Sequence, residues 1–231
     1  MTRGKFIAFE GGEGAGKSTQ ARLLALALEE RGIACVVTRE PGGTPGAEAI
    51  RGLLLGTAGE GWHPRAEALL FAAARSDHVE RLIMPALEDG QWVICDRFVD
   101  SSRAYQGGAG GLADAEVMAL HAVGSNGLLP DLTILIEISA EIATARARAR
   151  DMGAHDRIGG RDSAFHARVA ATFSRIADSN PDRFVRIDGS NTSDLVFAET
   201  SINSVRSGSN PLLPTACSAI TSPSLSPPAP P

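Results

Sequence analysis

The chain has 231 residues, 43% hydrophobic and 21% charged, enough apolar material for one buried core and far from a wholly disordered composition. Its formal net charge of -5 argues against a nucleic-acid binder, which needs accumulated Lys and Arg, so any phosphate must be recognised locally. The three cysteines Cys35, Cys95 and Cys217 are odd in number and lack ligand spacing, which points to reduced thiols in a cytoplasmic protein rather than to disulfides or zinc. No run approaches the ~18 apolar residues of a membrane span, and the start, despite Arg3 and Lys5, lacks a signal-length apolar stretch.

In chain order, apolar runs at Phe6 to Phe9, Ala34 to Val37, Trp92 to Cys95, Leu132 to Ile138 and Phe184 to Ile187 predict strands. Between them Ser18 to Arg31, Arg65 to Leu87, Ala115 to Val123, Ser139 to Arg150 and Ser163 to Asp178 have helical periodicity, several opening on Ser or Asp caps. The alternation predicts an α/β fold, a three-layer parallel sheet covered by helices on both faces. Leu195, Ala198, Ile202 and Val205 have the spacing of one more helix. Residues 207 to 231 carry no charge and seven of the thirteen prolines, a composition expected to form a disordered tail after a domain over 1–206. No internal repeat is visible.

The run Gly11-Gly12-Glu13-Gly14-Ala15-Gly16-Lys17-Ser18, followed by Thr19, lies between a predicted strand and a predicted helix. Glycines let successive backbone N–H groups and the helix N-terminus converge on phosphate oxygens. Lys17 is then placed to bridge the β- and γ-phosphates of ATP and Ser18 to put its hydroxyl on Mg2+, with Thr19 beside it. The bland alternative is a glycine-rich connection with no ligand. Together, motif and fold class predict a P-loop NTPase architecture.

Asp96 ends the apolar run from Trp92, the position that lies beside the Mg2+ site in phosphate-loop enzymes, although a strand-ending acid can be a mere turn former. The adjacent Arg97 can grip a second phosphate through two parallel hydrogen bonds. Arg146, Arg148, Arg150, Arg157 and Arg161, interleaved with Gly153, Gly159 and Gly160, look like a closing lid over about 146–162. Of these, Arg150 and Arg157 are the catalytic candidates; for Arg146 and Arg148 a basic helix end that complements the dipole is an equal alternative.

These motifs, with Thr38-Arg-Glu-Pro-Gly-Gly-Thr44, Asp96-Arg-Phe-Val-Asp-Ser-Ser102 and Ala104-Tyr-Gln-Gly-Gly108, appear in an order that resembles bacterial thymidylate kinases from residue 5 to about 190. The resemblance implies a P-loop NTPase of the nucleoside monophosphate kinase type and Mg2+-dependent transfer of the ATP γ-phosphate to dTMP, giving dTDP, by a homodimer. It places Phe71 on the thymine ring, Arg75 on a thymine carbonyl, and Arg39, Arg51 and Arg97 at the acceptor phosphate and sugar. It also implies that Glu13, Ser102, Tyr105 and Gln106 contact sugar, phosphate or base edge, with Tyr105 disfavouring a ribose 2′-hydroxyl. Spacing alone shows that Phe71 and Arg75 share a helix face.

Some members of that family carry a catalytic arginine inside the phosphate loop, whereas others, common in enteric bacteria, supply it from the lid. Ala15 stands at the loop position here, so the resemblance assigns the role to the lid. A family arginine usually found near 110 is replaced by Gly110. Another nucleoside or nucleoside-monophosphate kinase, and a phosphate-loop binding switch, are the alternatives. A GTPase switch would carry an Asn-Lys-x-Asp segment, which the sequence lacks.

Overall fold

A computed structural model describes residues 2–56, 61–151 and 158–191, with the side chains of 144 and 147–151 excepted. Strands β1 (Phe6–Glu10), β2 (Cys35–Arg39), β3 (Trp92–Asp96), β4 (Leu132–Glu137) and β5 (Phe184–Asp188) form one sheet in the order β2-β3-β1-β4-β5. All pairings are parallel, and Phe9 of β1 lies between Asp96 of β3 and Ile134 of β4. The longer helices are α1 (Lys17–Glu29), α2 (Pro45–Leu55), α3 (Pro64–His78), α6 (Asp114–Ser125), α7 (Ala140–Asp151) and α8 (Ser163–Asp178). A π-helical stretch, Val79–Ile83, carries α3 into α4 (Met84–Glu88), and another, Arg103–Ala109, continues the short α5 (Val99–Ser102).

A parallel sheet is covered on both faces, so its central strands are apolar throughout, and all five residues of β1 are buried. Alternation divides them. Ile7 and Phe9 join Leu24 and Leu28 of α1, while Phe6 and Ala8 pack with Val79, Ile83 and Leu87 on the opposite face. Phe165, Val169 and Phe173 of α8 close a third cluster on Leu135 and Tyr105. Burying each such large side chain contributes about 1.5–3 kcal/mol.

The predicted three-layer α/β architecture is therefore present, with element ends shifted by no more than two residues. The single helix expected over 65–87 is a continuous helical path interrupted by the π stretch, because α3, Val79–Ile83 and α4 follow one another directly. Helix α2 was not expected. Gly46 and Gly52 weaken its pattern, yet Thr44 Oγ1 accepts the Ala47 N–H at 3.3 Å and Pro45 occupies the first turn, both good helix starts. The helix expected over 195–205, the tail over 207–231 and Cys217 lie outside the described residues. Cys35 and Cys95 are free thiols; Cys95 is buried, and Cys35 is only half-buried.

Three parallel strands deliver their following residues to one edge of the sheet: Gly11 after β1, Glu40 after β2 and Arg97 after β3. Open parallel sheets place ligands at that carboxyl edge, beside the point where strand order reverses.

Candidate active site

The turn from β1 into α1 depends on glycines in the left-handed region, with φ of 136° at Gly11, 70° at Gly14 and 93° at Gly16. A Cβ on Gly11 would lie 2.3 Å from the Ile136 carbonyl oxygen. Gly16 opens α1 without a side-chain cap, so the first helical N–H groups stay available to an anion. Lys17 curls back over the loop and its Nζ donates to the Gly12 carbonyl at 2.7 Å. Burial, and next the positive charge of Arg97, lower its pKa to about 8.

At the end of β3, Asp96 Oδ2 accepts a short hydrogen bond from Ser18 Oγ. Arg97 is a non-glycine residue at φ 71°, a strained conformation of the kind that clusters at functional sites. Its Nη1 donates to the Gly11 carbonyl at 3.1 Å and to Ser101 Oγ at 3.2 Å, and its guanidinium lies 5.1 Å from the Tyr105 ring centroid. Beneath this loop Glu10 is fully buried. Its Oε1 accepts the N–H of Phe98 at 2.8 Å and of Ser101 at 3.1 Å, and its Oε2 accepts Ser101 Oγ at 2.6 Å. Burial, and then the charge of Asp100, raise the Glu10 pKa to about 7.

The opposite wall is the face of α3 that presents Phe71 and Arg75. Phe71 is half-buried against the third core cluster, so it serves packing and cleft together. Arg75 is 3% exposed; its Nε donates to Glu40 Oε2 at 2.7 Å and its Nη2 to Ser102 Oγ at 2.8 Å. Glu40 Oε1 receives His78 Nδ1 at 3.2 Å, and His78 Nε2 meets Thr38 Oγ1 at 2.7 Å. A carboxylate can only accept, so Nδ1 carries the proton in this chain. Arg39 donates to Glu48 at 3.1 Å, and Arg51 Nη1 to the Pro41 carbonyl at 2.6 Å.

These groups line a cleft of about 560 Å³. Its walls carry seven cations (Lys17, Arg22, Arg39, Arg51, Arg75, Arg97, Arg146) against three carboxylates (Glu13, Glu40, Asp96), a local excess of positive charge in an acidic protein. Gly14, Gly16, Ser18, Thr19, Phe71, Ser102, Tyr105 and Gln106 line it too, so the structure brings the predicted loop, strand-end and acceptor residues into one space. Gly11, Gly12 and Ala15 belong to the loop without lining the cleft. Arg157 and the Arg150 side chain lie outside the described residues. Among the described arginines of 146–162, Arg146 lines the cleft, and its Nη1 donates to the Gly189 carbonyl at 2.9 Å.

Residues 9–200 match the family described as thymidylate kinase. The chain is 57% identical over 185 residues to a thymidylate kinase of Rhizorhabdus wittichii, covering 80% of this chain and 89% of that one. It is 51% identical over 204 residues to a thymidylate kinase of Caulobacter vibrioides, covering 87% and 96%. The chain belongs to the thymidylate kinase family. Family membership decides against the binding switch and against the other kinases considered from sequence.

Within the thymidylate kinase frame, the Ser18–Asp96 pair could hold a cation. A hydroxyl and a carboxylate side by side are hard oxygen donors, and the described residues contain no cluster of three His, Cys, Asp or Glu. Such a sparse set fits Mg2+, which keeps waters and substrate phosphates as its other ligands. Glu10, Glu40, His78 and Glu67 were not singled out from sequence. Glu67 had a readable signal, since it precedes Phe71 by one helical turn on the same face.

Proposed function

We propose that the protein transfers the γ-phosphoryl group of ATP to dTMP, giving ADP and dTDP. The observation that carries this reading is the single cleft in which Lys17, Ser18 and Asp96 stand with Phe71, Arg75, Tyr105 and Gln106. Arg97 touches both groups, through the Gly11 carbonyl and the Tyr105 ring.

The acceptor atom is an oxygen of the dTMP phosphate, already largely ionised near neutral pH, so the reaction needs no side-chain base. The new P–O bond forms there while the bond to the β-phosphate oxygen breaks and its electron pair leaves with ADP. The protein therefore positions and stabilises charge. Loop amides and Lys17 hold the donor phosphates, Arg97 with Arg39 and Arg51 the acceptor phosphate, and Phe71 stacks on the base. Mg2+ held through Ser18 and Asp96 would neutralise charge on the β- and γ-oxygens. Ala15 leaves the loop without an arginine, and we assign that charge to the lid arginines Arg150 and Arg157. The enzyme acts as a homodimer, as the family resemblance implies, in the cytoplasm, where the free thiols Cys35 and Cys95 are at home; no described helix is long and apolar enough to cross a membrane.

An assay coupled to ADP release, run with dTMP, dUMP, dCMP, UMP and AMP, tests the reading. dTMP should lead on kcat/KM, dUMP trailing by ~10 to 200-fold for its missing methyl and dCMP by more, because its amino group faces the donor Arg75. A different leading acceptor overturns the assignment.

A further inference from the structure

The α3 face that presents Phe71 and Arg75 carries a third polar side chain. Glu67 has a buried carboxylate, 4% exposed, and both its oxygens are engaged. Oε1 accepts Gln106 Nε2 at 2.9 Å, and Oε2 accepts Arg161 Nη2 in a short ion pair. Arg161 also lies over the Phe165 ring, 4.6 Å from its centroid.

The two partners lead to opposite ends of the site. Gln106 is buried and lines the acceptor side of the cleft. Arg161 closes a turn through its N–H to the Ile158 carbonyl at 3.2 Å, and Ile158 lines the same cleft. Within that turn Gly159 approaches the phosphate loop so closely that a Cβ there would lie 2.5 Å from Glu13 Oε2. A continuous path of contacts thus runs from the phosphate loop through Gly159, Arg161 and Glu67 to Gln106. A buried carboxylate that loses one partner is left with uncompensated charge, so the positions of its two partners are energetically linked.

We infer that Glu67 is a positioning residue that couples nucleotide binding at the phosphate loop to dTMP binding at Gln106. The inference rests on the dTMP kinase reading. Nucleotide that fixes the loop and the Ile158–Arg161 turn fixes Glu67, which fixes the Gln106 amide; by linkage, dTMP tightens nucleotide to the same degree.

The test is calorimetric titration of dTMP with and without a β,γ-imido analogue of ATP, in the wild type, Glu67→Gln, Arg161→Met and the double variant. Glu67→Gln keeps volume and an oxygen for Gln106 while giving up the charge that holds Arg161. Arg161→Met leaves α3 untouched, so one variant serves if the other folds poorly. The analogue should tighten dTMP about 5-fold or more in the wild type and by less than about 2-fold in each variant, with the double variant no worse than either single. Uncoupled binding in the wild type, full coupling in the folded variants, or weaker dTMP binding with an unchanged ratio overturns the inference alone. A wild type that does not bind dTMP overturns the acceptor reading together with it.

Discussion

Glu10 ends the central strand with a carboxyl group that has no route to water, and it holds the segment that keeps Arg97 in its strained backbone conformation. Its pKa is raised from 4.5 to about 7, so between these values the folded protein binds more protons than the unfolded chain. The sign follows: the stabilisation from this group is complete below pH 4.5 and is lost as pH rises through about 7, a swing of about 3 kcal/mol. Glu10→Gln should remove that slope. Denaturant unfolding at pH 5 and pH 8 checks it, since equal pH dependence in variant and wild type would contradict the titration. That Phe71 and Arg75 share a helix face was legible from their spacing, and their place in the site from the family resemblance. Glu10, Glu40 and His78 were not, because each finds its partner on another element: Glu10 on the segment after β3, and Glu40 with His78 between the end of β2 and α3.

At the scale of elements, the phosphate loop shows that its glycines are not equivalent. Gly11 has φ 136° and no room for a side chain, whereas a Cβ on Gly12 would meet nothing within 4 Å. Gly11→Ala should cost about 2–4 kcal/mol of stability and Gly12→Ala under about 1, read from denaturant unfolding of the nucleotide-free protein. The reverse order would mean that the loop is built differently. The same element explains what the sequence shows easily: strand, glycine run and helix are each local signals. Helix α2 and the π-helical stretch Arg103–Ala109 escaped for the opposite reason. Glycine at 46, 52, 107 and 108 lowers intrinsic helicity, and these segments are helical because tertiary packing overrides it. Gly108 is needed there, since its Cβ would lie 1.9 Å from Thr172 Oγ1 of α8.

For the whole molecule, three of the exposed large apolar residues, among them the most exposed, fall on α3 and the helices beside it. Leu69 on α3 is 55% exposed, Val123 on α6 87% and Leu53 on α2 55%, and α3 packs on both neighbours. A homodimer formed through this side would cover them while leaving the cleft open, because Leu69 faces away from Glu67 and Phe71 on its helix. Replacing Leu69 and Val123 together by Glu should yield a monomer in light scattering; an unchanged dimer would place the interface elsewhere.

Strand β1 pairs with residues around Asp96 and Ile134, none of them near it in the chain. A nascent polypeptide leaving the ribosome therefore contains the complete Gly11–Ser18 segment long before anything holds it in shape. The neighbours that close on the loop, Asp96, Arg97 and Ile136, lie on or after β3 and β4, so the pocket is complete only once those strands are in place. Nucleotide binding by such a chain is a late event, and a truncation ending before β4 would carry the motif but no nucleotide pocket.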